Sequence, residues 1–438
     1  MKNAVALETG TSPSYRRYLF SLLFLLYMFD YMDRMVIVSL FPYLKRDWGI
    51  TDTQCGLLVS AVYWSILVFS FPVSILVDRW SRKKSIGLMA ALWSLATLAC
   101  AVTRNFGQLF VVRTAIGIGE AGYAPGGTAM ISAVFPKQQR ARVLGLWNAS
   151  IPLGSALGIA IGGLVAEHFG WRAAFGLVAA PGLVIALLFF TVRDYRTVAL
   201  VKTVTHGDQQ RLVKLRGVEL VRQFTRNRTL FFTNLAFAAN VFVTTSLLTW
   251  LPTYFNRIDG IPMTTAGLKG GSVMLLAIIG APLGGYIADA WMKRRLNARM
   301  VFPGLSSAMT AVLLFVAFMF FRGQAQYLIL LAAGVFAVAF VPAAVAVTQD
   351  VVHPGLRATS LSLNVIIQHL LGSALGPLFI GALSDRYGLE TAMTWLPMFA
   401  VLGSVLFLIG SLFYAGDLAA VEQATAALEP SVPPLPRG

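Results

Sequence analysis

Residues 154–158 read Gly-Ser-Ala-Leu-Gly, and the same five residues recur at 372–376. The match continues in register beyond the repeat. The further matched pairs are Gly163 and Gly381, Glu167 and Asp385, Phe169 and Tyr387, and Gly170 and Gly388. A register that holds past the end of a short repeat is not expected by accident, so the chain is predicted to contain two similar halves.

The composition places both halves in lipid. Hydrophobic residues make up 57% of the 438 residues and charged residues 12%, whereas a soluble domain carries roughly 25% charged residues. The net charge of +16 does not indicate a nucleic-acid partner, because the basic residues lie in short loops between apolar runs and not along one polar stripe. Cys55 and Cys100 have no metal-binding spacing, so we expect buried thiols.

The apolar runs predict an all-α membrane protein, since a helix needs about twenty apolar residues to cross the hydrocarbon. No ten-residue alternation suggests a barrel. The first run is too long for a cleavable signal and is expected to stay as the first span. Twelve spans are predicted, at about 18–41, 54–77, 85–103, 108–133, 142–165, 172–192, 229–251, 267–290, 301–321, 325–350, 358–382 and 393–415.

Basic residues predict the orientation of these spans, because cytoplasmic loops carry an excess of Lys and Arg. They concentrate in the segments 16–17, 79–84, 137–142, 193–228 and 293–299, and the opposite loops hold only a few. Both termini are therefore predicted to be cytoplasmic in a cell inner membrane. The predicted domains are a six-helix bundle at 1–192, a basic cytoplasmic linker at 193–228, a second six-helix bundle at 229–416 and a cytoplasmic tail at 417–438.

A loop motif occurs once in each half. Ser74, Asp78, Arg79, Arg82, Lys83 and Lys84 follow span 2, and Gly285, Asp289, Lys293, Arg294 and Arg295 follow span 8. A carboxylate held at a helix end by basic residues can latch two halves in one conformation and release them in another. Asp78, Arg79, Arg82, Asp289 and Lys293 are the candidate latch residues, although the basic ones could equally be plain cytoplasmic anchors. On this motif the chain resembles the major facilitator superfamily, which implies two pseudo-symmetric six-helix bundles. The first copy departs from the family pattern, with Ser74 in place of the usual glycine.

Two further stretches narrow the resemblance. Asp30-Tyr31-Met32-Asp33-Arg34 in span 1, and Arg113 with Gly117, Gly119 and Glu120 in span 4, are similar to spinster-like lipid transporters and to anion–cation symporters of sugar acids. In those families the aspartate beside the arginine of helix 1 and the glutamate of helix 4 are implicated in proton coupling. The resemblance implies these roles for Asp33 and Glu120. The family usually has asparagine where this chain has Asp30.

The same residues also stand out because a charged side chain in lipid costs free energy. Asp30, Asp33, Arg34, Arg113 and Glu120 lie inside apolar spans, where each costs about 2.5–3.5 kcal/mol at a helix centre. They must face the interior, pair with one another or line water. Helical geometry places the three charges of span 1 within an arc of about 100°, so a cluster between spans 1 and 4 is predicted. A structural salt-bridge network that never titrates is the alternative.

The other candidates are polar or aromatic residues inside spans. Tyr27, Tyr123, Trp147, Asn148, Asn240 and Asn364, with Arg34 and Arg113, are the candidate substrate-binding residues. The candidate proton-coupling residues are Asp33, Glu120, Asp30 and His369. His369 is included because the unperturbed pKa of a histidine lies near neutrality. For His369 and the asparagines, packing or a bond to a neighbouring helix remains the alternative. Gly154, Gly158 and Gly162 favour close helix packing over the antiporter motif that they partly resemble.

These features predict a proton-coupled secondary transporter of an organic anion or a lysolipid-like amphiphile. A proton-exchange exporter of drugs or metabolites remains an alternative, and a membrane enzyme or sensor is a remote one. The sequence has no Walker motif for ATP and no histidine constellation for catalysis or metal binding, so no cofactor is expected. The expected partners are a small-molecule substrate, protons and membrane lipids, with the chain acting as a monomer.

Overall fold

The computed structural model describes residues 12–193, 227–352 and 356–426, and these residues contain helices and no strand. Helices α1 to α12 correspond in order to the twelve predicted spans, and several consist of two or three segments. Their bounds are Pro13–Met35 with Val36–Leu40 (α1), Asp52–Arg79 (α2), Arg82–Cys100 (α3), Phe106–Glu120 with Tyr123–Val134 (α4), Lys137–Asn148 with Ser150–Phe169 (α5), Trp171–Phe189 (α6), Arg228–Ile258 (α7), Met263–Leu275 with Ala277–Met292 (α8), Ala298–Phe320 (α9), Gly323–Ala339 with Val341–Asp350 (α10), Arg357–Ile367 with Gln368–Ser373 and Leu375–Tyr387 (α11), and Leu389–Met393 with Leu396–Ala426 (α12).

A helix is present at each of the twelve predicted spans, and most of these helices are longer than the hydropathy indicated. Within the described ranges, nine helical stretches are long and apolar enough to cross a membrane. The three that fall short are α1, α3 and α4. Two of them, α1 and α4, carry the intramembrane charges, and α3 begins with three basic residues. The helices that composition recognises least well are therefore those that hold the candidate site.

Prolines account for two of the helix interruptions. Pro125 has no N–H to donate to the carbonyl of Ala121, and α4 breaks at Ala121 and Gly122, one residue after Glu120. Pro152 stands in the same relation to Asn148, and α5 breaks at Ala149. A proline removes one helical hydrogen bond and forces the preceding turn aside. The break in α4 thus follows directly from the sequence beside the candidate glutamate.

Small residues allow the helices of the first half to approach closely. A Cβ atom added to Gly158 would lie 2.7 Å from the carbonyl oxygen of Met32, and one added to Gly154 would overlap the carbonyl oxygen of Met28. Side chains of any size at these positions would push α5 away from α1. The glycine spacing in α5 therefore serves close packing against α1, which is the alternative that the sequence favoured.

The two halves meet along α2 with α11 and along α5 with α8. Within the halves, α1 packs on α5 and α7 packs on α12. The predicted linker at 193–228 lies outside the described residues except for Arg193, Asn227 and Arg228. The predicted tail is described only to residue 426, and α12 continues through Ala426.

Candidate functional site

Arg34 is the centre of a buried charge cluster between α1 and α4. Its Nη2 atom donates to Oδ2 of Asp30 at 2.8 Å, and its Nε atom lies 2.8 Å from Oε2 of Glu120. The second contact is an ion pair by distance, but neither oxygen of Glu120 accepts an aligned hydrogen bond. The side chains of Asp30 and Glu120 are fully buried, and that of Arg34 is 8% exposed. The cluster predicted from the sequence therefore forms around these three residues.

Asp33 lies beside this cluster and does not join it. It is fully buried, and neither carboxylate oxygen has a hydrogen-bond partner among the described residues. The hydroxyl group of Thr97 in α3 faces this carboxylate without the alignment of a regular hydrogen bond. A buried carboxylate without a partner is costly in its charged form. Asp33 thus differs from Asp30 and Glu120, which both have the guanidinium of Arg34.

Arg113 is fully buried and binds main chain instead of carboxylates. Its guanidinium donates to the carbonyl oxygens of Asp33 at 2.9 Å and Arg34 at 3.0 Å, and to that of Leu58 in α2 at 3.2 Å. The carbonyls of Asp33 and Arg34 lie where α1 changes into the tighter 3₁₀ turn at Val36–Leu40, which leaves carbonyl groups without regular helical donors. Arg113 therefore ties α1, α2 and α4 together, which agrees with the structural alternative for this residue.

The predicted aromatic residues form one buried cluster against α1. The rings of Tyr27 and Trp147 stack at 4.3 Å, and Tyr27 also lies 5.4 Å from Tyr123. The hydroxyl group of Tyr123 and the indole nitrogen of Trp147 both donate to the carbonyl oxygen of Leu23, at 2.5 Å and 3.1 Å. Their polar atoms are thus engaged by α1 in this conformation. Their role in substrate binding stays a prediction.

His369 connects α11 to the charge cluster through one aromatic ring. It lies in the π-helical segment Gln368–Ser373, a form often found at functional sites. Its ring stacks on the ring of Tyr63 in α2 with centroids 5.6 Å apart, and the guanidinium carbon of Arg34 lies 6.0 Å from the centroid of the same Tyr63 ring. Nδ1 of His369 has no hydrogen-bond partner among the described residues. The structure thus places His369 at the boundary between the halves, two contacts from Arg34.

The predicted asparagines occupy three different environments. Nδ2 of Asn364 in α11 donates to Oδ1 of Asn234 in α7 at 2.8 Å, and its own side-chain oxygen accepts from Gln368. Asn240 donates to the carbonyl oxygen of Ala236 and packs against Gly403 of α12. Asn148 is exposed. Only Asn364 lies in a polar network that joins two helices of the second half.

The second copy of the loop motif pairs with a residue that the sequence did not indicate. Asp289 binds Arg299 at 2.9 Å, and Arg299 also binds Asp350 at 2.7 Å. Lys293, the predicted partner, forms no ion pair within the described ranges. The turn after α8 ends in α9, whose first turn brings Arg299 back to Asp289. This contact lies within the second half. The side chains of Asp78 and Arg79 lie outside the described residues, and Arg82 lies in the first turn of α3.

The comparison with protein families decides the identity of this helical fold. The family model described as "Major Facilitator Superfamily" matches residues 23–377, more than half of the chain. The chain belongs to the major facilitator superfamily. Like its relatives, it is a multi-pass membrane transport protein and not an enzyme.

Among its relatives, the hexuronate transporter of Bacillus subtilis is 27% identical over 281 residues, which cover 64% of this chain and 66% of that protein. The sphingosine-1-phosphate transporter of Mus musculus is 27% identical over 432 residues, covering 90% of this chain and 77% of that protein. A solved bacterial homologue of the human lysosomal transporter spinster, inward-facing and unoccupied, has a TM-score of 0.81 at 22% identity and covers 93% of this chain and 99% of its own. That structure confirms the fold.

Proposed function

We propose that this major facilitator protein is a proton-coupled transporter of an organic anion or an anionic amphiphile, and that Asp33 carries the coupling proton. The observation that supports this is the burial of Asp33 with both carboxylate oxygens unpartnered. Such a group is stable when it holds a proton and costly when it does not. It can lose the proton only when the conformation changes and water or a cation reaches it.

Arg34 is the proposed binding group for the anion. An arginine presents several N–H donors in a plane that matches a carboxylate or a phosphate. Here those donors face Asp30 and Glu120 at 2.8 Å each. An anionic substrate would replace one of these carboxylates. The carboxylate released from Arg34 then adds negative charge beside Asp33, which favours the protonated form of Asp33 and links substrate binding to proton uptake.

The chemistry that two relatives share supports the proposed substrate class. One relative is named for hexuronate, a carboxylate, and the other for sphingosine-1-phosphate, a phosphate with a long apolar chain. Both are anions that Arg34 could bind. The buried aromatic rings of Tyr27, Tyr123 and Trp147 beside α1 would suit an apolar portion if they turn toward the substrate in another conformation.

His369 is the proposed second element of coupling, because it lies on the opposite half from Arg34. Its contact with Tyr63 brings α11 against α2 at the level of the charge cluster. A change in the charge of His369, or in the contacts of the permanently charged Arg34 guanidinium, would alter that stacking. In this way proton binding at one half could favour movement of the other.

We further propose that the protein lies in the inner membrane with both termini cytoplasmic and acts as a single chain. The basic-loop asymmetry supports the orientation. Both of the similar halves that alternating access requires lie within one chain, which supports a functional monomer.

The decisive experiment separates transport from coupling. Asp33→Asn keeps the shape of the side chain and cannot carry a proton. In proteoliposomes the variant is expected to lose accumulation of anion driven by a pH gradient and to keep exchange of labelled for unlabelled anion. Full gradient-driven accumulation by a well-folded Asp33→Asn variant would exclude Asp33 as the proton carrier.

A further inference from the structure

The carboxylate of Asp385, at the end of α11, binds the first turn of α2 in the other half. Its Oδ1 accepts from the backbone N–H of Asp52 at 2.7 Å. Its Oδ2 accepts from the backbone N–H of Thr53 at 2.8 Å and from the Thr53 hydroxyl at 2.6 Å. An anion at this position satisfies helix N–H groups that would otherwise lack partners. This contact therefore holds the two halves together at the end of the molecule where α2 begins.

Glu167, which matches Asp385 in the sequence repeat, has the equivalent position in the first half. It lies at the end of α5, and its Oε2 accepts from the hydroxyl of Thr264 at 2.5 Å in the first turn of α8. Glu167 and Asp385 thus each reach from the end of one helix to a threonine in the other half. The contact between α5 and α8 is a copy of that between α2 and α11.

The glycines behind these carboxylates confirm the correspondence. Gly56 of α2 packs on the carbonyl of Pro377, and Gly267 of α8 packs on that of Ile159. Counted from the repeated glycines of α5 and α11, Ile159 and Pro377 are equivalent positions. Gly163 meets Met263 in the same way that Gly381 meets Asp52. Both boundaries between the halves therefore use one duplicated arrangement.

The two copies differ in strength. The Asp52 carboxylate accepts two hydrogen bonds from Arg257 of α7, at 2.6 and 2.7 Å, one from Lys45 at 2.6 Å and one from Ser384 at 2.5 Å. Met263 stands at the equivalent place in α8 and has no charge. A Cβ atom at Gly56 would lie 2.5 Å from the opposing carbonyl oxygen, against 3.1 Å at Gly267. The α2–α11 boundary is both more ionic and more tightly packed.

We propose that Asp385 and Glu167 are paired gating residues, that this end of the transporter opens only when both of their contacts break, and that the α2–α11 contact is the stronger one. A major facilitator transporter must open alternately at its two ends, so contacts that close one end must be broken in every cycle. This proposal depends on transport by alternating access and not on which residue carries a proton.

Two native cysteines allow a direct test. Cys55 lies in the first turns of α2 beside Gly56 and is buried, whereas Cys100 is buried at the end of α3, outside both boundaries. Alkylation of Cys55 by a maleimide therefore reports opening of this end, and alkylation of Cys100 reports general unfolding. The matched variants are Asp385→Asn and Glu167→Gln, measured on the purified full-length protein.

Asp385→Asn keeps one acceptor for three donors, so the rate of Cys55 alkylation is expected to rise about tenfold, the scale of one charge-assisted hydrogen bond. Glu167→Gln keeps an acceptor for the single hydroxyl of Thr264, so its rate should rise less than about threefold. Cys100 should stay unreactive in both. An unchanged Cys55 rate in Asp385→Asn, or equal rates in the two variants, would overturn the proposal.

If Cys100 also becomes reactive in Asp385→Asn, that variant has lost its fold and Thr53→Val replaces it. This change removes one hydroxyl donor and keeps the size of the side chain. Faster alkylation of Cys55 than in Thr264→Val supports the stronger α2–α11 contact. An equal or slower rate overturns it.

Discussion

Removing the cation from the buried cluster should separate its structural role from its binding role. Arg34→Met replaces the arginine by an apolar side chain of similar length and leaves Asp30 and Glu120 without their shared partner. Both carboxylates are fully buried. Breaking a buried ion pair by removing one partner costs roughly 3–5 kcal/mol. The variant is therefore expected to unfold at a markedly lower temperature than the wild type.

The triple variant Asp30→Asn, Arg34→Met, Glu120→Gln has no charge left in the cluster. Replacing a buried ion pair by neutral groups is often close to neutral for stability, so the triple variant should recover to within about 1 kcal/mol of the wild type. It should nevertheless fail to bind an anion, because the guanidinium is gone. Recovery of stability without recovery of binding is the expected signature.

The assay needs two measurements on each purified variant. Thermal unfolding in detergent gives the stability, and binding of labelled glucuronate and of sphingosine-1-phosphate gives the affinity for a small and an amphiphilic anion. Wild-type thermal stability of Arg34→Met would show that the three groups do not form a charged cluster. Wild-type anion binding by the triple variant would refute Arg34 as the binding group.

Three further predictions address coupling, packing and orientation. The Glu120→Gln variant should keep anion exchange, and its transport should no longer depend on the proton gradient. Loss of anion exchange and of gradient-driven transport in equal proportion would identify the Glu120–Arg34 pair as a structural clamp. Gly158→Ala should lower the unfolding temperature, because its Cβ atom would lie 2.7 Å from a carbonyl oxygen of α1, whereas Gly145→Ala, with open space around it, should be unchanged or more stable by about 0.4–1 kcal/mol. Equal effects of the two changes would contradict the packing. A phosphatase fused after Gly438 should stay inactive in the cytoplasm, and activity in the periplasm would reverse the predicted orientation.

Physical cost explains why much of the site could be predicted from the sequence. Charges inside apolar spans must pair or face water, and helical periodicity groups the three charges of α1 with Arg113 and Glu120 of α4. The structure pairs Arg34 with Asp30 and Glu120 and leaves Asp33 outside these ion pairs. Arg113 avoids the free-energy cost of an unpaired buried charge in another way, because it binds carbonyl groups exposed by the 3₁₀ turn of α1. That turn departs from the regular helix on which the periodicity argument rests.

The gating contacts escaped prediction because they lie near helix ends. Arg257 and Lys45 belong to the few basic residues in the loops opposite the predicted cytoplasmic side, and no pattern in the sequence singles out Asp52. A signal was present. Gly49-Ile50 and Gly260-Ile261 repeat at the starts of α2 and α8, and both glycines have positive φ, at 62° and 66°. The duplicated turns could have aligned Thr53 with Thr264.

Hydropathy set the number of helices correctly and their ends less well. The predicted span 229–251 continues to Ile258 in α7, and that extension carries Arg257 to the boundary between the halves. A charged side chain ends an apolar window, but it does not end a helix. The segment of α7 that hydropathy leaves out is thus the one that carries the ion pair between Arg257 and Asp52.

Proton movement during transport tests the central claim most directly. Proteoliposomes that contain the wild type and enclose a pH-sensitive dye should change internal pH when glucuronate or sphingosine-1-phosphate is added outside. Asp33→Asn should leave the internal pH constant while anion exchange continues at a rate comparable to that of the wild type. A substrate-dependent pH change of wild-type size in Asp33→Asn would contradict Asp33 as the carrier of the coupling proton.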